Sequence, residues 1–233
     1  TRIERAAPTI MELASRGARV VVMSHFGRPK GKADTSMSLA PLVKPLSQAL
    51  DGTPVEFASD CIGGAAASVI SGLGDGGVAL LENLRFHAAE EANDGEFAAA
   101  LAELGDIYVN DAFAAAHRAH ASIEAIARKL PAHAGRLMQA ELEALGAALE
   151  NPKHPVAAIV GGAKVSTKLE LLGNLVAKAD RLIIGGGMAN TFLFARGVDV
   201  GASLAERDLA NTAREIEARA LDAGCEILLQ DDA

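Results

Sequence analysis

The chain has 233 residues, half of them hydrophobic, with 3% aromatics and no tryptophan. That is enough for one large domain or two modest ones of ~100–200 residues, with a core built mainly on Ala, Val, Leu and Ile. A formal net charge of −8 argues against a general nucleic-acid binder, whose field is basic. No charged stretch followed by an apolar core opens the chain, and no apolar run reaches the ~20 residues of a membrane helix, so a soluble, cytoplasmic protein is expected. Cys61 and Cys225 match no metal or redox spacing and read as free thiols.

In chain order, Ile3, Ile10, Leu13 and Ala14 recur at helical spacing, with Pro8 in the early turns. Val20 to Met23 is a short apolar run typical of a buried parallel strand. Leu39 to Leu50 reads as a helix whose start is blurred by Pro41 and Pro45. Val55 to Ala58 is a weak strand, Cys61 to Ile70 a helix, Val78 to Leu81 a strand, Glu96 to Leu104 a helix and Ile107 to Val109 a strand. A long helix, Arg136 to Leu149, precedes the break at Asn151-Pro152-Lys153-His154-Pro155. Beyond it come a strand at Val156 to Val160, glycines, a helix, a strand at Leu182 to Ile184, glycines and another helix. A helix from Ala205 to Ala223 and a strand at Ile227 to Leu229 finish the chain.

This alternation predicts α/β architecture: two doubly wound parallel-sheet (Rossmann-like) domains with helices on both faces. The expected divisions are residues 1–135, a joining helix at 136–152, and 153–233. The chain opens on Thr1 and stops at Ala233 just after an apolar run, which reads as a piece cut at both ends, or as a processed or tagged chain.

Ligands of parallel α/β sheets bind beyond the carboxyl ends of the strands. Ser24-His25-Phe26-Gly27-Arg28-Pro29 follows the first strand, and Glu82-Asn83-Leu84-Arg85-Phe86-His87 follows the third. Asn110-Asp111-Ala112-Phe113 and then His117-Arg118-Ala119-His120 follow the fourth. Each of these ends delivers an Arg and at least one His, and Arg2 precedes the helix leading into the first. Two unit charges 4 Å apart repel by roughly 4 kcal/mol at an effective dielectric of 20. Arginines gathered at one sheet edge therefore call for an anion, with phosphate or carboxylate matching their fork geometry. The plain alternative is solvated loops whose arginines pair with Glu82 or Asp111. A zinc site on His117 and His120 lacks a third ligand of suitable spacing, and Arg118 stands between them.

In the second half, Val160 runs into Gly161-Gly162-Ala163-Lys164-Val165-Ser166-Thr167-Lys168. A strand, a glycine turn and a helix start would offer backbone N–H groups to a phosphate. Lys164 and Lys168 would share one helical face. Gly185-Gly186-Gly187-Met188 repeats the pattern at the next strand end. Neither segment is a G-x-G-x-x-G or a P-loop, and plain βα turns are the competing reading. No covalent nucleophile with its base stands out. The chemistry on offer is positioning and charge stabilisation, which is what phosphoryl transfer needs.

Taken together, TRI at 1–3 with PTI at 8–10, SHFGRP at 24–29, ENLRFH at 82–87, VNDAF at 109–113, HRAHAS at 117–122, GGAKVSTKLELL at 161–172 and GGGMANTFL at 185–193 resemble the phosphoglycerate kinase family. The resemblance implies two α/β domains that close about a hinge to exclude water, reversible phosphoryl transfer between 1,3-bisphosphoglycerate and ADP, and a monomer. Arg2, His25, Arg28, Arg85 and Arg118 would hold the phosphoglycerate, with His117 and His120 in or beside the pocket and Phe26 and Gly27 shaping its loop. Gly162, Ala163, Lys164 and Lys168 would serve the nucleotide phosphates, and Gly186 and Gly187 would border the adenine. Arg2 and Lys168 would stabilise the moving phosphoryl. Mg2+ would arrive with ATP or ADP, its protein contact being expected in segments after Ala233.

The family's R-x-D-x-N-V-P strand would precede Thr1, and its G-P-x-G-x-F-E and G-G-G-D-[ST] segments would follow Ala233, so this piece alone is expected to turn over negligibly. Ala114 and Ala115 stand where Gly-Thr is commoner, and Thr167 where Asp is frequent. A doubly wound oxidoreductase and a non-catalytic anion-binding module are the rival readings. The first requires a G-x-G-x-x-G and a ribose-binding acid that the chain does not show.

Overall fold

The computed structural model describes residues 2–150 and 152–231. The chain divides into two compact units, Thr1–Glu143 and Ala144–Ala233. All strand pairings are parallel among the described residues.

The first unit runs α1 (Arg2–Ser15), β1 (Val20–Val22), α2 (Val43–Ala49), β2 (Val55–Ala58), α3 (Gly63–Ser71), β3 (Val78–Leu81), α4 (Ala88–Glu91), α5 (Gly95–Ala102), β4 (Tyr108–Asn110) and β5 (Ala132–Ala134). The α6 helix (Arg136–Leu149) begins in this unit and runs into the second. β3 lies between β1 and β2, with Val20 opposite Val78 and Val55 opposite the same residue. β4 and β5 pair separately.

Stepping past β3's place and then back reverses the direction of travel. Right-handed crossovers then put successive helices on opposite faces. Leu46 of α2 packs with Ile10, Val78 and Leu80 on one side, and Ala66 of α3 packs with Leu81, Phe97 and Ile126 on the other. All four residues of β3 are buried, as expected of a strand covered on both faces.

The first turn of α6 is tied to this unit. Asp111 Oδ1 accepts from the Met138 N–H at 2.9 Å, and Thr9 Oγ1 accepts from the Arg136 N–H at 3.0 Å. Arg136 also grips Glu12 with Nε and a terminal nitrogen at 2.7 and 2.8 Å. The division between the units accordingly falls within the helix, at 143/144.

The second unit contains β6 (Ala157–Gly161), α7 (Leu169–Val176), β7 (Arg181–Gly185), α8 (Gly187–Ala195), α9 (Ala210–Ala223) and β8 (Glu226–Leu228), in strand order β6-β7-β8. Here the strands advance steadily in one direction, so right-handed crossovers leave every helix on the same face. Val160, Leu182 and Ile184 point into one core with Leu172, Met188, Phe192 and Ile216, while Ile159 on the opposite face is 78% exposed. The parallel α/β architecture expected of two incomplete domains is present in both units. Helices cover both sheet faces in the first and, among the described residues, one face in the second.

Candidate functional site

The site of the first unit starts from the end of β3. Glu82 accepts from the Ser38 hydroxyl at 2.6 Å, the Leu39 N–H at 2.8 Å and the Asn83 N–H at 2.7 Å. Asn83 is fully buried. Its Nδ2 donates to the carbonyls of Phe26 at 2.7 Å and Met37 at 2.9 Å, and its Oδ1 accepts from the Phe26 and Arg85 N–H groups at 3.3 and 3.1 Å. Gly27 has φ +61°, and a Cβ there would lie 2.5 Å from Met37 Sδ, so the turn needs glycine. Arg85 donates from a terminal nitrogen to the Gly27 carbonyl at 2.8 Å. Its Nε lies 2.9 Å from Glu91 Oε1, an ion pair whose angle makes no hydrogen bond.

A second knot joins the remaining loop. His25 Nε2 sits 2.6 Å from Glu90 Oε1, which also accepts from the Ser122 hydroxyl at 2.6 Å, while Oε2 accepts from the Ser122 N–H at 3.0 Å. The His120 ring meets that of His25 edge-on, with centroids 5.7 Å apart, and its Nδ1 lies 3.7 Å from Glu90 Oε1 without a hydrogen bond. Burial pushes the Glu90 carboxyl up, but the hydrogen bonds from His25 and Ser122 outweigh it and hold the group below the usual carboxylate range. His120 is pushed below its ordinary value by burial, with the charges of His25 and Arg85 acting the same way and that of Glu90 opposing them.

The structure therefore brings His25, Phe26, Gly27 and Arg85 into adjoining hydrogen-bonded networks, with the His120 ring packed edge-on against His25. Phe26 is 51% exposed at its surface. Arg28 is exposed and makes no ion pair or hydrogen bond among the described residues. Arg118 has only a long contact from its Nε to His117 Nε2, 3.4 Å, and these two line an open cavity of about 430 Å³ with Asn110, Glu124 and Arg128. Arg2 is exposed at the first turn of α1 and makes no hydrogen bond or ion pair with these loops among the described residues.

Glu82 and Asp111, the acids that would have neutralised the arginines, are spent otherwise: Glu82 as above, Asp111 on the Thr9 hydroxyl and the Met138 N–H. Asn83 and Glu90, which hold these networks together, escaped the sequence reading. The Asn inside ENLRFH was the available signal for the first.

His120 faces His25, not His117. Two groups of metal-ligating type are drawn together: His25 with Glu90 and His120, and Asp60 with Cys61 and His87. Ligand atoms around tetrahedral zinc stand ~3.3 Å apart, given bonds of ~2.0–2.1 Å. The first group is closed by the 2.6 Å contact and the Ser122 donors. In the second, burial and the neighbouring Asp60 push the Cys61 thiol up to about 12, and Asp60 Oδ1 is already engaged by His87 at 2.7 Å and the Cys61 N–H at 2.6 Å.

In the second unit the two glycine turns lock onto each other. The Met188 N–H donates to the Gly162 carbonyl at 3.0 Å. A Cβ on Gly186 (φ +68°) would sit 3.1 Å from the Gly162 oxygen, and one on Gly187 would sit 2.8 Å from the Ala163 oxygen. These glycines admit the chain's own backbone, whereas Gly185 faces open space.

The sequence expectation that Lys164 and Lys168 share a helical face is corrected. Residues 162–168 form a loop and α7 starts at Leu169 with Lys168 at its N-cap. Glu206 accepts from the Ser166 N–H and hydroxyl at 2.9 and 2.6 Å, and the Thr167 hydroxyl donates to the Lys164 carbonyl at 3.0 Å. Such side-chain bonds compete with helix formation. The Lys168 stem instead folds back over Gly162, with Cε 3.3 Å from the position a Cβ would take there. Neither lysine makes a side-chain hydrogen bond or ion pair among the described residues.

The family model described as phosphoglycerate kinase matches residues 1–233. The phosphoglycerate kinase of Caulobacter vibrioides strain NA1000 is 67% identical over 232 residues, covering all of this chain and 58% of the relative. That of Rhizobium meliloti strain 1021 is 63% identical with the same coverages. Among solved structures, the Coxiella burnetii phosphoglycerate kinase superposes with a TM-score of 0.82 at 43% identity, over 98% of this chain and 57% of the other. The Pyrococcus horikoshii enzyme gives 0.76 at 34%, over 97% and 59%. The chain thus spans 58% of the length of the curated relatives it matches.

Proposed function

Since the chain belongs to the phosphoglycerate kinase family, we propose that its first unit binds 3-phosphoglycerate or 1,3-bisphosphoglycerate and its second receives the phosphates of ATP or ADP, in a glycolytic enzyme passing a phosphoryl group to and from a carboxylate. One observation supports this most. In a protein of net charge −8, Arg28 and Arg118 have no carboxylate partner among the described residues, while Glu82 and Asp111 are spent on hydroxyls and backbone. A multiply charged acid phosphate supplies what those guanidinium groups lack.

In this reading Arg28, Arg85, Arg118 and Arg2 hold the phosphoglycerate, with His25, His117 and His120 lining its pocket and the Phe26-Gly27 turn shaping it. Arg2 and Lys168 stabilise charge on the moving phosphoryl, and Lys164 neutralises nucleotide phosphates near the Gly162-Ala163 and Gly186-Gly187 turns. The attacking oxygen is already a carboxylate or a phosphate, so no general base is required. Mg2+ enters as part of the nucleotide substrate. Both Glu206 oxygens are occupied by Ser166, so this carboxylate is not offered to the ion. The enzyme would work as a cytoplasmic monomer; no helix among the described residues is long and apolar enough to cross a membrane.

Isothermal titration tests the reading with three ligands. The chain should bind 3-phosphoglycerate, bind unphosphorylated glycerate far more weakly, and ignore NADH. Silence toward 3-phosphoglycerate would remove the proposal.

A further inference from the structure

We propose that Glu90 is a positioning residue for the phosphoglycerate pocket, one buried carboxylate that fastens the three arginine-bearing loops to each other. This rests on the reading of the pocket given above. The loops leave three different strand ends; Asn83 and Arg85 tie the second loop to the first, and Glu90 is the group that joins the third to both. Glu90 sits on α4 directly behind the second loop. It reaches the first through His25, 65 residues away, and the third through Ser122, 32 residues away.

The side chain is 0% exposed, a costly place for a charge unless its oxygens are filled. Here Oε1 accepts from His25 and the Ser122 hydroxyl, and Oε2 from the Ser122 N–H. A glutamine with its oxygen on the Ser122 N–H would turn its NH2 toward His25 and the Ser122 hydroxyl. The proton would then have to leave Nε2 for Nδ1 and the hydroxyl would have to turn to accept; the carboxylate fits the knot as it stands. An ionised carboxylate can only accept, which places the His25 proton on Nε2 and leaves Nδ1 for other partners. Releasing the knot frees the loops without removing any group that touches substrate. Affinity for a small phosphorylated acid then falls because the arginines are no longer preorganised.

Titration of the 233-residue chain with 3-phosphoglycerate separates this role from plain stability. Glu90→Gln should weaken binding about 10-fold or more. Leu101→Ala, on α5 in the core cluster against which Ala89 of α4 packs, should lower the melting temperature at least as much and keep wild-type affinity. Long-range 1H–15N spectra should show the His25 proton on Nε2.

Unchanged affinity in Glu90→Gln, equal loss in Leu101→Ala, or a bare His25 Nε2 would each overturn the inference. If Glu90→Gln does not fold, Ser122→Ala, which removes one donor of the knot, should weaken binding about 3-fold, and unchanged affinity again overturns it. Should the wild-type chain ignore 3-phosphoglycerate, the reading of the pocket fails instead, and the His25 spectrum still decides whether the knot exists.

Discussion

Asn83 grips the peptide of Phe26 at both of its polar atoms, donating to the carbonyl at 2.7 Å and accepting from the N–H at 3.3 Å. With the Met37 carbonyl and the Arg85 N–H on the same side chain, one amide sets the Phe26-Gly27 turn against Arg85. Asn83→Ala leaves these buried groups without their partner, and an orphaned group costs ~1–3 kcal/mol. The expected loss is about 3 kcal/mol in urea denaturation of the first unit, with weaker 3-phosphoglycerate binding. A loss near zero would mean that the loops hold their shape unaided.

The interlocked glycine turns predict a contrast within the second unit. A Cβ at Gly187 would meet the Ala163 carbonyl at 2.8 Å, and backbone cannot swing aside as a side chain can. Gly187→Ala should destabilise this unit by about 2 kcal/mol. Gly185→Ala, with nothing within 4 Å, should stay within about 0.5 kcal/mol. Hydrogen exchange of the β6 and β7 amides would separate the two, and equal effects would contradict the turn-on-turn packing.

Acid should weaken the first unit through two groups of the same sign. His120 is held below its ordinary 6.5 in the fold, so its unfolded form takes up protons first and stability erodes as pH falls below that value. Glu90 is held below 4.5. Its contribution is fully present above that pH and is lost as pH falls through the depressed folded value. His120→Gln should flatten the upper part of a urea-midpoint profile and Glu90→Gln the lower part. A midpoint unchanged from pH 7 to 4 would contradict both directions.

Much of this was legible where burial is periodic or continuous. The β1 and β3 strands are apolar runs, β2 is a weaker signal interrupted by the exposed Glu56, and the Arg136–Leu149 helix follows its pattern to the residue. β5 was not legible, because Ala132-His133-Ala134 is exposed along its length and carries no hydrophobic signal. The loop at 162–168 read as helix because the bonds that keep it open come from Glu206, 40 residues on. The same holds for the site. Arginines and histidines after strand ends announce themselves, whereas Asn83 and Glu90 act through partners 32 to 65 residues away, which only the fold brings together.

The most direct measurement is 3-phosphoglycerate affinity by titration calorimetry with single arginines neutralised. Arg28→Gln and Arg118→Gln should each weaken binding at least ~10-fold, since a charge-assisted hydrogen bond contributes roughly 1.5–3 kcal/mol. Arg16→Gln, whose charge is already answered by Glu12 at 2.9 Å, should change nothing. Equal affinity in all three variants would contradict the claim that these loops converge on an anion.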